Sequence, residues 1–230
     1  MSSRSVLVVA AHSDDETLGC GATIHRHHVA GDRVAAIHLT DGVGARATSA
    51  DRVAERVRAS DEAAAALGFE WVRRGSFPDN QLDAVELLSL VKFIEAAIGE
   101  LRPDLVYTHH GADLNIDHRL TFRATLTATR PLPGATVTEV RTFEVPSSTE
   151  WSSPHLGPEF RPTLYVDVGP SWDAKLAALR AYSPELRPPP HPRSLEAIDA
   201  LARWRGAQSG LERSEAFEVV RRIVRRDEAP

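Results

Sequence analysis

Hydrophobic positions alternate along the chain between short unbroken runs and longer periodic stretches. Val6 to Ala11 and Val34 to Thr40 are apolar runs of strand length, with a helical segment from Leu18 to Val29 between them, so the chain opens with a βαβ unit. In the next stretch, Asp51 to Leu67, the residues Val53, Val57, Ala64 and Leu67 recur at helical spacing, and Gly68 supplies the stop. Glu70 to Arg74 reads as a third strand. Leu87, Leu88, Val91, Ile94, Ile98 and Leu101 mark an amphipathic helix that ends at Arg102-Pro103, and Asp104 to Thr108 follows as a buried strand. A helix is expected from Arg119 to Thr129, late strands over Thr138 to Val145 and Thr163 to Val168, and a long loop from Pro146 to Pro162. Beyond the proline-rich connection from Pro184 to Pro192, Ser194 to Arg205 and Ser214 to Arg226 are predicted as terminal helices. Strands that are continuously apolar rather than alternating are covered on both faces. The fold class is therefore α/β, a Rossmann-like three-layer fold with a mostly parallel sheet.

Two of the apolar runs end abruptly in polar clusters. Val6 to Ala11 is followed by His12-Ser13-Asp14-Asp15-Glu16, and the Asp104 to Thr108 strand runs into His109-His110-Gly111-Ala112-Asp113-Leu114-Asn115-Ile116-Asp117-His118. In open parallel sheets ligands bind just beyond the carboxyl ends of the strands, and both clusters have that address. His12 and Asp15 stand three apart where strand gives way to helix. They offer one neutral nitrogen and one anionic oxygen to a divalent metal, while a second carboxylate beside them can handle a proton. A catalytic zinc takes three protein ligands and keeps one position open, so a third donor must come from elsewhere. His118 is the candidate, with Asp117 beside it to orient an imidazole and with His109 and His110 competing for the role. Glu16 reads as support for the helix start. His25, His27 and His28 fall on neighbouring surface positions of a predicted helix and read as such, not as a second metal site.

Composition narrows the classes. A chain of 230 residues can bury a substantial core as one domain spanning 1–230, and its formal charge of -5 with a pI near 6.1 is not the basic footprint of a nucleic-acid binder. The single Cys20 cannot close an intrachain disulfide, the first residues lack the apolar core of a signal peptide, and the apolar runs fall far short of the roughly 20 residues a spanning helix needs. These features point to a cytoplasmic protein with no nucleic-acid partner and no membrane span; a homo-oligomer stays open. Gly19-Cys20-Gly21 begins a dinucleotide-loop pattern, but Ile24 stands where the third glycine is required, which argues against an NAD-dependent oxidoreductase. Cys20 reads as a small apolar helix residue. Arg221, Arg222, Arg225 and Arg226 read as the basic end of the last predicted helix, complementing its dipole. Trp151 and His155, in the long loop, are candidates for lining a cleft.

Ala11-His12-Ser13-Asp14-Asp15-Glu16 resembles the Ala-His-Pro-Asp-Asp-Glu signature of the PIG-L/LmbE-like zinc-dependent N-deacetylases. Asp113-Leu114-Asn115-Ile116-Asp117-His118-Arg119 resembles that family's downstream Asp-x-Asn-x-Asp-His-Arg segment, in the same order. Similarity extends through Phe77 to Asp83, Val145 to Trp151, Lys175 to Tyr182 and Arg203 to Phe217, which is nearly the whole chain. The resemblance implies a zinc hydrolase that removes the N-acetyl group from a small amino sugar of the N-acetylglucosamine type or its conjugate. By motif position it implies His12, Asp15 and His118 as metal ligands and Asp14 as general base. Asp79 and Arg56 fall where relatives place sugar-contacting groups, and Asn115 and Asp117 complete the expected substrate pocket.

The chain departs from the family pattern at Ser13, where proline is usual; loss of the fixed φ loosens the turn without removing a ligand. Some relatives carry a histidine three residues before the third ligand, where this chain has Asn115, an amide that can donate a hydrogen bond but cannot act as an acid. A His₂Asp set also suits Fe²⁺ or Co²⁺. The segments 41–51 and 146–162 are expected to select the aglycone. The alternative is a noncatalytic sugar- or nucleotide-binding protein that keeps the fold and the ion.

Overall fold

The computed structural model describes residues 3–40, 42 and 50–225; of segment 41–51, only residue 42 and the helical backbone of 50 and 51 are among them. Among the described residues, seven strands form one sheet: β1 (Ser5–Ala10), β2 (Arg33–Thr40), β3 (Glu70–Phe77), β4 (Leu105–His109), β5 (Glu139–Phe143), β6 (Leu164–Asp167) and β7 (Ser214–Arg222). Their order is β3-β2-β1-β4-β5-β7-β6, with the first five parallel and β7 antiparallel to both of its neighbours. The helices are α1 (Asp15–Val29), α2 (Ala50–Leu67), α3 (Leu87–Leu101), α4 (Ile116–Ala128), α5 (Trp172–Ala181) and α6 (Leu195–Ser209).

Because β1 is buried on both faces, its side chains divide between two cores. Val6 and Val8 pack with residues of α1, α2, α5 and α6 on one face, and Leu7 and Val9 pack with α3 and α4 on the other. This is the expected three-layer α/β arrangement. β1 and β4 lie side by side at the point where strand order reverses, so the crevice beyond their carboxyl ends is the topological switch point at which such sheets hold ligands. No helix among the described residues is long and apolar enough to cross a membrane.

Two elements differ from expectation. Ser214 to Arg222 is a strand, not a helix, and with it goes the reading of Arg221, Arg222 and Arg225 as complements to a helix dipole; Arg226 lies outside the described residues. The spacing of these arginines imitates a helix face. The segment nevertheless finds β5 on one side and β6 on the other, a long-range pairing that local periodicity does not register. α5 went unpredicted because its inward face carries Lys175, buried at 3% exposure, where an apolar residue would have completed the pattern.

Helix α1 explains that lysine. At Cys20 the backbone leaves helical geometry (φ -145°, ψ 22°), so Ala22 N–H and Thr23 N–H turn from their helical acceptors to Glu215 Oε1 and Oε2, at 3.1 and 2.7 Å. Leu18 C=O, which a regular helix would pair with Ala22 N–H, accepts instead from Lys175 Nζ at 2.9 Å, and Lys175 closes the circuit on Glu215 at 2.6 Å. The buried ion pair thus replaces helical bonds lost at the kink. The kink leaves a separate first turn, Asp15 to Gly19, at the end of β1.

Candidate metal centre and catalytic cleft

The turn between β1 and α1 is tied from both sides. Ala11 C=O accepts from Leu39 N–H and Thr40 N–H, and His12 N–H donates to Asp15 Oδ2 at 2.8 Å, which folds the Asp15 carboxylate back over the strand end. His12 Nδ1 lies 3.1 Å from Asp15 Oδ2, and His118 Nε2, from the first turn of α4, lies 3.4 Å from the same oxygen. All three residues are buried, and one donor atom from each falls within 4.8 Å of the others. Donors about 2.0–2.1 Å from a tetrahedral zinc stand roughly 3.4 Å apart, so this spacing suits that ion. His118 Nε2 is buried without a hydrogen-bond partner in the protein, as a metal donor would be.

The ring nitrogens on the far side are held by carboxylates, as ligating imidazoles require. His12 Nε2 is 3.2 Å from both Asp117 Oδ2 and Asp79 Oδ1, and His118 Nδ1 is 3.2 Å from Asp113 Oδ1. Burial opposes charge on His118, but Asp15 and Asp113 outweigh it and hold its pKa at about 9; His12 is likewise raised by Asp15, Asp117 and Asp79 against its burial. The cluster therefore carries a demand for positive charge that a divalent cation would meet as the imidazoles release protons.

The sequence places Asp117 beside the substrate and as an orienter of a neighbouring imidazole. It is fully buried, accepts from Asn80 N–H and Leu82 N–H at 2.7 and 3.0 Å, and serves His12, not the adjacent His118. Asn115 lies on the cleft wall but spends Oδ1 capping α4 at Asp117 N–H, 2.8 Å away, and donates from Nδ2 to Asn80 Oδ1. His109 Nε2 accepts from Ala11 N–H at 2.8 Å, so its proton sits on Nδ1, and its ring stacks on His118 at 3.9 Å. Burial and the neighbouring His118 push its pKa well down, which suits a neutral backing ring. His110 turns away to Glu218 and Pro158 C=O. Glu16 has a carboxyl pushed up to about 8 by burial, and it accepts from Thr17 Oγ1 and Tyr182 OH.

Above the cluster opens a polar cleft of about 250 Å³ whose wall includes His12, Asp14, Arg56, Asp79 and Arg193. Asp14 faces it beside the donors. Its Oδ2 is 3.2 Å from Arg56 Nη2 and 3.2 Å from Arg193 Nη1. Ser13, the departure from the family signature, accepts from Arg56 Nε at 3.1 Å, and Arg56 Nη1 also pairs with Glu185 at 2.7 Å. Trp151 is half exposed and meets His191 of the cleft wall edge-on, whereas exposed His155 is not part of that wall. The sequence reading missed Asp113 and Arg193. Asp113 opens the motif that ends in His118 and was legible there, but Arg193 lies 179 residues from Asp14 and carries no local signal.

Comparison with known proteins gives the chain a family and a fold. The family model described as PIG-L: GlcNAc-PI de-N-acetylase matches residues 7–129. The uncharacterized deacetylase YaiS of Escherichia coli (strain K12) is 29% identical over 185 residues, spanning 78% of this chain and 90% of that protein. Among solved structures, the conserved protein TT1542 from Thermus thermophilus superposes with a TM-score of 0.77 at 25% identity, covering 99% of each chain. The N,N'-diacetylchitobiose deacetylase from Pyrococcus horikoshii, in complex with an inhibitor, gives 0.75 at 19% identity, covering 96% of this chain and 85% of that one.

Proposed function

The chain belongs to the PIG-L (GlcNAc-PI de-N-acetylase) family of deacetylases, and from that premise we propose that it is a zinc-dependent hydrolase of a small N-acetylated amino sugar or its conjugate, acting in the cytoplasm. One observation carries the proposal: His12, Asp15 and His118 converge from β1's end and α4, with the carboxylate of Asp14 facing the cleft beside them.

Zinc held by these three residues would act as a Lewis acid toward the acetamide carbonyl and bring the pKa of a bound water to about 7. Asp14 takes the proton of the attacking water and returns it to the nitrogen as the C–N bond breaks, giving acetate and a free amine. Arg56 and Arg193 both engage Asp14 Oδ2, which fixes the carboxylate and leaves Oδ1 outside those two contacts. Asp117, Asp79 and Asp113 fix the orientation of the imidazoles. Asp79 and Asn115 line the cleft, which supports a part for them in sugar binding besides the hold of Asp79 on His12 and the cap of Asn115 on α4.

Acetate release from N-acetylglucosamine and its conjugates by zinc-loaded protein tests the proposal. Asp14→Asn is expected to lower turnover about 10²- to 10⁴-fold, the usual weight of a general base, with zinc content unchanged. Near-normal turnover in that variant would remove Asp14 from the base role. Sugar binding by the zinc-loaded protein with no acetate release from any conjugate would favour the noncatalytic alternative.

A further inference from the structure

The segment from Pro146 to Trp151 follows β5 and contributes no metal donor, yet its side chains reach both halves of the centre. Ser147 sits in the left-handed region at φ 67°, a conformation a serine adopts only under constraint. The constraint is visible: Ser147 N–H and Ser148 N–H both donate to the Glu150 carboxylate, at 2.7 and 3.2 Å. Held there, Ser147 Oγ accepts from Arg193 Nε at 2.8 Å, and Arg193 Nη1 reaches Asp14 Oδ2 at 3.2 Å. The next two residues point the other way. Ser148 Oγ donates to Asp113 Oδ1 and Thr149 Oγ1 to Asp113 Oδ2, and Asp113 holds His118 Nδ1. Thr149 Oγ1 also accepts from Val145 N–H at 2.8 Å, which locks the segment onto the end of β5.

We propose that Pro146–Trp151 is a two-armed positioning element: Ser147, through Arg193, sets the carboxylate of Asp14, while Ser148 and Thr149, through Asp113, set the imidazole of His118. The inference rests on the proposed roles of Asp14 and His118. It explains why serine occupies a position that glycine would fill with less strain, since glycine has no hydroxyl to offer Arg193. It makes Arg193 a positioning residue for the base. It also joins the two motifs through a third segment that supplies neither ligand nor base.

The arms separate experimentally. Ser147→Gly keeps the backbone conformation and removes the hydroxyl, so melting temperature is expected to stay or rise while kcat on N-acetylglucosamine falls about 10- to 100-fold, as for a displaced catalytic group. Zinc affinity, read by chelator competition, should stay within about twofold in this variant. Ser148→Ala should instead weaken zinc binding by about tenfold, the low end for partners beyond the ligands themselves. Arg193→Ala should match Ser147→Gly in kcat and recover in part with added guanidinium, whereas a residue that only stabilised the fold would not respond. A crystal structure of Ser147→Gly with Asp14 in its wild-type rotamer, or wild-type zinc affinity in Ser148→Ala, would overturn the corresponding arm. Both readouts are independent of turnover, so a wild-type protein inactive on N-acetyl sugars would count against the proposed function and leave the two arms to these measurements.

Discussion

Lys175→Met tests whether the buried ion pair carries the kink in α1. Lys175 and Glu215 are both nearly inaccessible, with side-chain exposures of 4% each, and their 2.6 Å contact sits in the core under the first turn that bears Asp15. Methionine approximates the volume of lysine, so the perturbation is electrostatic and not a cavity. It strands Leu18 C=O without a donor and leaves the Glu215 carboxylate buried with only the two N–H groups of Ala22 and Thr23. Removing one member of a buried pair costs about 3–5 kcal/mol because the surviving charge is uncompensated. For a chain of this size each kcal/mol moves the melting temperature by roughly 2–4 °C, so a fall of about 6–20 °C is expected in a thermal melt. Adding Glu215→Gln to Lys175→Met removes the stranded charge but keeps an acceptor for only one of the two kink N–H groups, so part of the loss should return. A Lys175→Met protein within about 1 kcal/mol of wild type would refute the reasoning, since it would mean that the helix closes its own broken bonds.

Asp113→Ala should weaken zinc binding about 10- to 100-fold in chelator competition, because His118 loses the carboxylate on its far nitrogen. Gly19→Ala drives a Cβ into the Phe143 ring, which also packs edge-on against His109; about 1–3 kcal/mol of stability should go, measurable by urea denaturation, and Gly19→Ala with Phe143→Leu should regain part of it. The His110–Glu218 pair gives a pH signature. Burial lowers the His110 pKa, but its bonds to Glu218 and Pro158 C=O more than offset this and raise it, so its stabilisation is complete below pH 6.5 and fades as pH rises through the folded value. Burial likewise raises Glu218, and His110 outweighs it and lowers the pKa, so that share holds above pH 4.5 and is lost as pH falls through the folded value. Glu218→Gln should therefore depress the melting temperature more at pH 6 than at pH 9, and an equal depression at both would show that the pair is not coupled.

The sequence by itself determined the sheet class and pointed to the two strand ends and to His12, Asp14, Asp15 and His118 as candidates, because strand burial and motif spacing are local properties of the chain. Tertiary structure decided which charge serves which group. Asp117 is adjacent to His118 in sequence, but successive residues on a helix do not face one another, so it serves His12, 105 residues away, and Asp113, from the loop before α4, takes His118. Arg193 reaches Asp14, and Ser147 reaches Arg193, only because the β5–β6 loop and the proline-rich connection before α6 close over the same cleft. β7 departs from the expected helix for a related reason: its pattern is ambiguous on its own, and it becomes a strand when β5 and β6 present edges for it to pair with. Periodicity records how a segment meets its surroundings on average, whereas hydrogen-bond partners across a hundred residues are fixed only when the sheet brings the strand ends together.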